Sequence, residues 1–156
     1  METNLFDEIP SVDLNQFRNG NAEEKQDFVN QLGKAYNEIG FVAVKNHFLD
    51  EDITERLYGT VKEFFSLDED IKTKYEFPEL AGQRGYVGKG KEHAKDNPVG
   101  DLKEFYHIGQ EDSWEEMGYP QNINVKEIPE FLETVVEAYR LLEKTGHLCL
   151  PRKQTV

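Results

Sequence analysis

The residues with the most obvious chemical potential lie between Gly82 and His93. There the chain reads GQRGYVGKGKEH and places four glycines in nine residues. Gly85 to Lys91 (GYVGKGK) has the G-x4-G-K spacing of a phosphate-binding loop. Such a loop next requires Ser or Thr to hold magnesium, but Glu92 stands there and would set negative charge beside a phosphate. It also requires a buried strand before it and a helix after it, and neither EFPELAGQR nor HAKDNPVG has that pattern. The glycines therefore read as turn formers in a flexible loop.

Metal binding is the second chemistry to weigh. The histidines are His47, His93, His107 and His147. Non-haem iron is typically held by two His and one carboxylate on one face, and a close H-x-D or H-x-E pair would announce it. Each of these histidines lacks an acid two residues on. Three of them could still converge in space, so that alternative stays open at this level. Nucleophilic chemistry has less support. Cys149 is the only cysteine, and no Ser sits in a G-x-S-x-G elbow. Glu104 and His107 in LKEFYHI fall on opposite faces of a strand and form no dyad within it.

The elements that must position these residues follow from periodicity. IPSVDL (Ile9–Leu14) alternates, and Pro10 suits it to an edge strand. Asn21 with Glu24 has the capping-box spacing, and Phe28, Val29, Leu32, Ala35, Tyr36 and Ile39 follow as a helical stripe that Gly40 stops. FVAV (Phe41–Val44) is an uninterrupted apolar run, expected to be a strand buried on both faces. Asp50 opens a helix with the stripe Ile53, Leu57, Val61, Phe64 and Phe65, and Asp68 opens a shorter one to about Tyr75. Pro78 to Gly100 reads as a long excursion with one short strand at Gly85–Val87, and Leu102–Ile108 as a further strand. Pro129 sits near the first turn of a last helix carrying Phe131, Leu132, Val135, Val136, Tyr139 and Leu142. That helical pattern holds through Lys144 and then dissolves, which predicts an irregular tail over 146–156.

The whole chain narrows the function classes. Its 156 residues suffice for one domain with a real core. Eighteen basic against 31 acidic residues give a net charge of −13, which argues against nucleic acid or an anionic membrane as partner. A single cysteine excludes an internal disulfide and suits a reducing cytosol. The N-terminus METNLFDEIP has no apolar signal core, and no run approaches the roughly 18 apolar residues of a span. The expectation is a cytoplasmic protein.

Taken in order, IPSVDL, a helix ending EIGFVAVKNH, a helix ending EFFSLDEDIKTKY, then GY and DLKEFYHIG resemble the N-terminal region of the isopenicillin N synthase-like, 2-oxoglutarate/Fe(II)-dependent dioxygenases. The resemblance covers about residues 8–145 and looks closest to bacterial members. It implies an α+β fold class: a mostly helical N-terminal region whose few short strands join a double-stranded β-helix, or jelly roll, in full-length relatives. That jelly roll carries the family's H-x-D…H iron triad and the R-x-S pair for 2-oxoglutarate, and neither motif occurs in this sequence. The resemblance thus implies a region 1–145 of dioxygenase N-terminal type, with Fe(II) and 2-oxoglutarate as cofactors of full-length relatives and none expected on this chain. It places Arg84, Tyr86, Phe105 and His107 at the substrate mouth, and gives Asn46 and His47 a structural role in the turn after the second strand. The family's usual N-H-G is Asn46-His47-Phe48 here.

Two readings follow. The first is an oxidoreductase-family chain, acting on a small organic substrate in its full-length relatives, that is inactive by itself. CLPRKQTV departs from the family's apolar continuation, as a frameshift or premature stop near Gly146–Leu148 would produce; an intact genomic frame ending naturally after Val156 would remove that hypothesis. The second is a non-catalytic acidic interaction module completed by a partner chain, with unpaired strand edges as the route of association.

Overall fold

The computed structural model describes residues 9–91, 100–111 and 118–150. Its elements run β1 (Ser11–Asp13), α1 (Leu14–Asn19), α2 (Ala22–Glu38), β2 (Ala43–Lys45), α3 (Glu51–Phe65), α4 (Glu69–Lys72), single 3-10 turns at Thr73–Tyr75 and Pro78–Leu80, β3 (Gly85–Val87), β4 (Phe105–His107) and α5 (Phe131–Cys149). The class is α+β, with helix dominating and strands of three residues each. The chain divides into two compact units, 1–50 with 142–156 and 51–141.

In the first unit β1 and β2 pair in parallel, Val12 opposite Val44. The strand foreseen over Ile9–Leu14 is shorter because Asp13 caps α1: its carboxylate accepts from the Asn15 amide at 2.8 Å, and Leu14 is already helical. The capping box of α2 forms as its spacing predicts. Asn21 Oδ1 accepts from the Glu23 and Glu24 amides at 2.9 and 3.0 Å, and Glu24 accepts from the Asn21 amide at 2.7 Å. Gly40 ends the helix with φ +92°, which glycine adopts without cost. Val12, Leu14, Phe28 and Leu32 make the core, with Phe48, Leu148 and Cys149 packed against it.

Two expectations are corrected in this unit. The FVAV run is not buried on both faces: β2 begins only at Ala43, and Phe41, which precedes the strand and its pairing with β1, is 53 % exposed. The irregular tail does not begin at Gly146, since α5 continues to Cys149. Thr145 is buried and its hydroxyl accepts from the Phe48 amide at 3.3 Å, so tertiary contacts carry the helix past a glycine. Residues 151–156 lie outside the described residues.

The second unit is organised around Phe64 of α3, which is fully buried. Tyr106 and Phe131 lie with ring centroids 4.8 and 5.5 Å from it, and Tyr86 and Tyr75 at 5.8 and 6.2 Å, mostly edge to face. β3 and β4 form an antiparallel pair in the register Gly85–His107, Tyr86–Tyr106, Val87–Phe105. Leu102–Glu104 and Ile108, foreseen as strand, lie outside β4. Among the described residues no helix is long and apolar enough to cross a membrane.

Candidate functional site

The β3–β4 hairpin holds the sequence-predicted residues, and its pairing register decides which can act together. Side chains alternate along a strand, so Tyr86 and Tyr106 share one face while Phe105 and His107 take the other. Tyr86 faces the core, not an opening: it is 1 % exposed and packs against Phe64. Its hydroxyl donates to Glu104 at 2.6 Å and to Glu69 at 3.2 Å. This corrects the expectation that Tyr86 lines a substrate mouth alongside Arg84, Phe105 and His107.

Glu104 is the hub of that network. Lys72, 5 % exposed, donates to it at 2.8 Å and approaches Glu69 at 3.1 Å, while Lys89 stands 3.8 Å away. The hydrogen bond from Lys72, then that from Tyr86, holds the Glu104 carboxyl below its ordinary range. Burial, followed by the hydrogen bond to Glu104, pushes the Tyr86 phenol well up. With every group paired, the network joins α4 to the entry of β4 and serves position, not proton transfer. Lys72 has no signature in the sequence, because an isolated lysine in IKTKY carries no sign that it is buried.

The outer face of the hairpin differs. His107 is exposed, its ring stacks on Phe105 with centroids 4.6 Å apart, and its Nδ1 donates to the Gly82 carbonyl. Arg84 lies half-buried just before β3, its Nη1 donating to the Gln83 carbonyl at 2.7 Å. The guanidinium lies against Gly109, where an added Cβ would come within 2.1 Å of Nη2. Asn122 fixes that glycine with a matched pair of bonds: the Gly109 amide donates to its Oδ1 at 2.9 Å, and its Nδ2 donates to the Gly109 carbonyl at 2.8 Å. Neither Gly109 nor Asn122 stands out in the sequence, since the partners lie thirteen residues apart.

The glycine-rich stretch does not form a phosphate cradle. Gly85 to Val87, which that motif needs as loop, is a strand. The Gly90 amide donates to the Asp101 carbonyl at 2.8 Å, and Lys91 pairs with Glu76 at 3.4 Å. Gly85 serves a close approach: at φ +80° an added Cβ would stand 2.5 Å from the Tyr75 carbonyl oxygen.

The turn residues sit in the first unit. Asn46 follows β2 at φ +53°, a conformation Asn tolerates better than most residues. Its Nδ2 donates to Asp13 Oδ1 at 2.8 Å, tying the turn to the α1 cap. His47 is exposed. Phe48, where the family has glycine, lies between two cations, with Lys144 and Arg18 at 4.0 and 4.4 Å from its ring centre.

The described residues do not form a site that fits iron. Among the described residues no three His, Cys, Asp or Glu side chains are grouped so as to hold a metal ion, and His93 lies outside them. No H-x-D or H-x-E pair occurs in the sequence.

Comparison with known proteins assigns the fold. Residues 9–130 match the family described as non-haem dioxygenase in morphine synthesis N-terminal. The chain is 29 % identical over 147 residues to a 2-oxoglutarate-dependent dioxygenase of Penicillium crustosum, covering 88 % of this chain and 45 % of that protein. It is 33 % identical over 115 residues to a probable iron/ascorbate oxidoreductase of Dictyostelium discoideum, covering 71 % of this chain and 31 % of that one. Among solved structures, a 2OG-Fe(II) oxygenase family protein of Caulobacter crescentus superposes with a TM-score of 0.75 at 28 % identity, over 90 % of this chain and 46 % of that chain. The chain therefore spans less than half the length of these relatives. It belongs to the 2-oxoglutarate/Fe(II)-dependent non-haem dioxygenases and corresponds to their N-terminal region.

Proposed function

We propose that this chain supplies the N-terminal, substrate-facing part of a 2-oxoglutarate/Fe(II)-dependent oxygenase acting on a small organic substrate, and that by itself it does not turn over. The observation that carries this is the family match over residues 9–130, in a sequence without an H-x-D or H-x-E pair. Arg84, Phe105 and His107 are the residues it would present to substrate, Phe105 and His107 from the face of the strand pair opposite Tyr86 and Arg84 from just before β3. The chain's contribution is to shape and orient: the Lys72–Glu104–Tyr86 network fixes the hairpin from behind, and the Gly109–Asn122 pair seats Arg84. The cofactor's oxidative chemistry belongs to residues outside this set. The test is succinate formation from 2-oxoglutarate by the 156-residue chain with Fe(II) and ascorbate. The expected result is no succinate above the protein-free control, and catalytic succinate release would refute the proposal.

The second reading, a module completed by another polypeptide, draws support from the two-stranded parallel sheet. Parallel pairs are ordinarily covered on both faces and extended by further strands, whereas Phe41 beside β2 is exposed. Co-purification of a jelly-roll chain with this one would favour that reading, and its absence from cells expressing both would dismiss it.

A further inference from the structure

Within the second unit, α3 and the start of α5 touch at two points. Arg56 reaches Glu137 at 2.9 Å, and the rings of Phe64 and Phe131 lie 5.5 Å apart. The earlier residue of one helix meets the later residue of the other, so the two run antiparallel. Thr60 and Thr134 fall midway between those contacts, and a cleft of about 530 Å³ opens there, within the range of small-molecule sites. The two threonines form its inner wall and are 7 % and 2 % exposed. Neither hydroxyl has a hydrogen-bond partner, although a helical threonine can bond the carbonyl one turn back, as Thr73 does with Glu69 at 2.9 Å. Among the described residues only Arg84 Nε is shut away from solvent without a partner. The two hydroxyls, which also lack partners, therefore still reach the space of the cleft. Polar groups left unpaired at such burial are costly, and a ligand's donors in the cleft would satisfy both.

The rim of the cleft sets the charge of that ligand. Glu63, Glu130 and Glu133 are exposed there and have no cationic partner among the described residues. Arg56, the one cation at the rim, is already held by Asp52 and Glu137. The three glutamates are not grouped closely enough to hold a metal ion, so the charge that complements them must be spread along a molecule. Gly59 keeps the opening clear, since an added Cβ would meet nothing within 4 Å. The net charge of −13 also draws cations toward the surface. We propose that the α3–α5 cleft binds an aliphatic polyamine, whose ammonium groups pair with the three glutamates and donate to the Thr60 and Thr134 hydroxyls. None of these residues belongs to the β3–β4 hairpin, so the inference stands apart from the oxygenase reading.

The test is isothermal titration calorimetry of the 156-residue chain with spermidine at constant ionic strength. Saturable binding of one equivalent is expected, with no matching response to Mg2+ or to a neutral alkanediol of the same length. Replacing Glu63, Glu130 and Glu133 together by Gln should abolish it. Thr134→Val should weaken it about tenfold, yet this change removes a hydroxyl with no partner in the fold, so the urea midpoint should not fall. Gly59→Leu should also weaken binding, by filling the opening, while raising the urea midpoint as a glycine inside a helix is replaced. Loss of affinity in variants that are no less stable separates a binding role from a structural one. Absence of saturation, an equal response to Mg2+, or undiminished affinity in the triple variant or in Thr134→Val would each overturn the assignment. None of those results bears on succinate formation, so the two proposals fail separately.

Discussion

Glu104 shows what a single residue contributes when it is placed by pairing and not by exposure. It accepts from a buried lysine and a buried tyrosine, so removing its charge weakens the hold on both and leaves Glu69 as their remaining carboxylate. Glu104→Gln should destabilise the chain by about 1.5–3 kcal/mol, the worth of hydrogen bonds to a charged group, read by urea titration. Adding Lys72→Met should recover part of that loss, because an apolar pair of similar volume no longer buries a lone charge. The pH dependence has a defined sign. The Glu104 carboxyl is held below its ordinary range, chiefly by Lys72, so its contribution is present above the ordinary glutamate range and disappears as pH falls through the lowered folded value. The Lys72 ammonium is raised, chiefly by Glu104, so its share is present below the ordinary lysine range and disappears as pH rises through the raised value. Thermal midpoints of wild type and Glu104→Gln should therefore differ by a constant amount through neutral pH and converge in acid. The sequence showed Glu104 and His107 apart, as they are, but nothing in LKEFYHI announced a lysine thirty-two residues earlier as a partner.

Local signals were legible at the scale of elements, and tertiary ones were not. The α2 capping box, the Gly40 stop and the β3 strand all follow from spacing that a short window contains. Asn21→Ala should cost about 1 kcal/mol, and Gly85→Ala appreciably more, since it adds both a positive φ and a collision with the Tyr75 carbonyl. Chemical denaturation of the two variants checks that order. Misreadings arose where distant contacts overrode local pattern. Leu14 belongs to α1 and not to the foreseen strand, because Asp13, the last residue of β1, caps that helix, a role that depends on the helix after it. Gly146 was read as a helix end, yet Thr145 and Leu148 are held by the first unit and the helix runs on. The family resemblance groups Tyr86 with Phe105 and His107, while the antiparallel register sends it to the other face.

On the scale of the whole molecule, the chain has two cores of modest size and several apolar side chains left uncovered, among them Phe41, Val29, Tyr36 and Leu150 at 47–62 % exposure. Small cores with uncovered apolar surface bury too little to give a sharp transition. Thermal unfolding of the isolated 156-residue chain should accordingly be broad, with a calorimetric enthalpy unequal to the van't Hoff value. On the proposed function, this dioxygenase-family chain holds no iron centre of its own. Anaerobic equilibrium dialysis against Fe(II) with 2-oxoglutarate present decides the point. Retention should be weak and salt-sensitive, and unchanged when His47, His93, His107 and His147 are replaced by Ala. One tightly held equivalent of iron, lost on replacing those histidines, would refute the proposal.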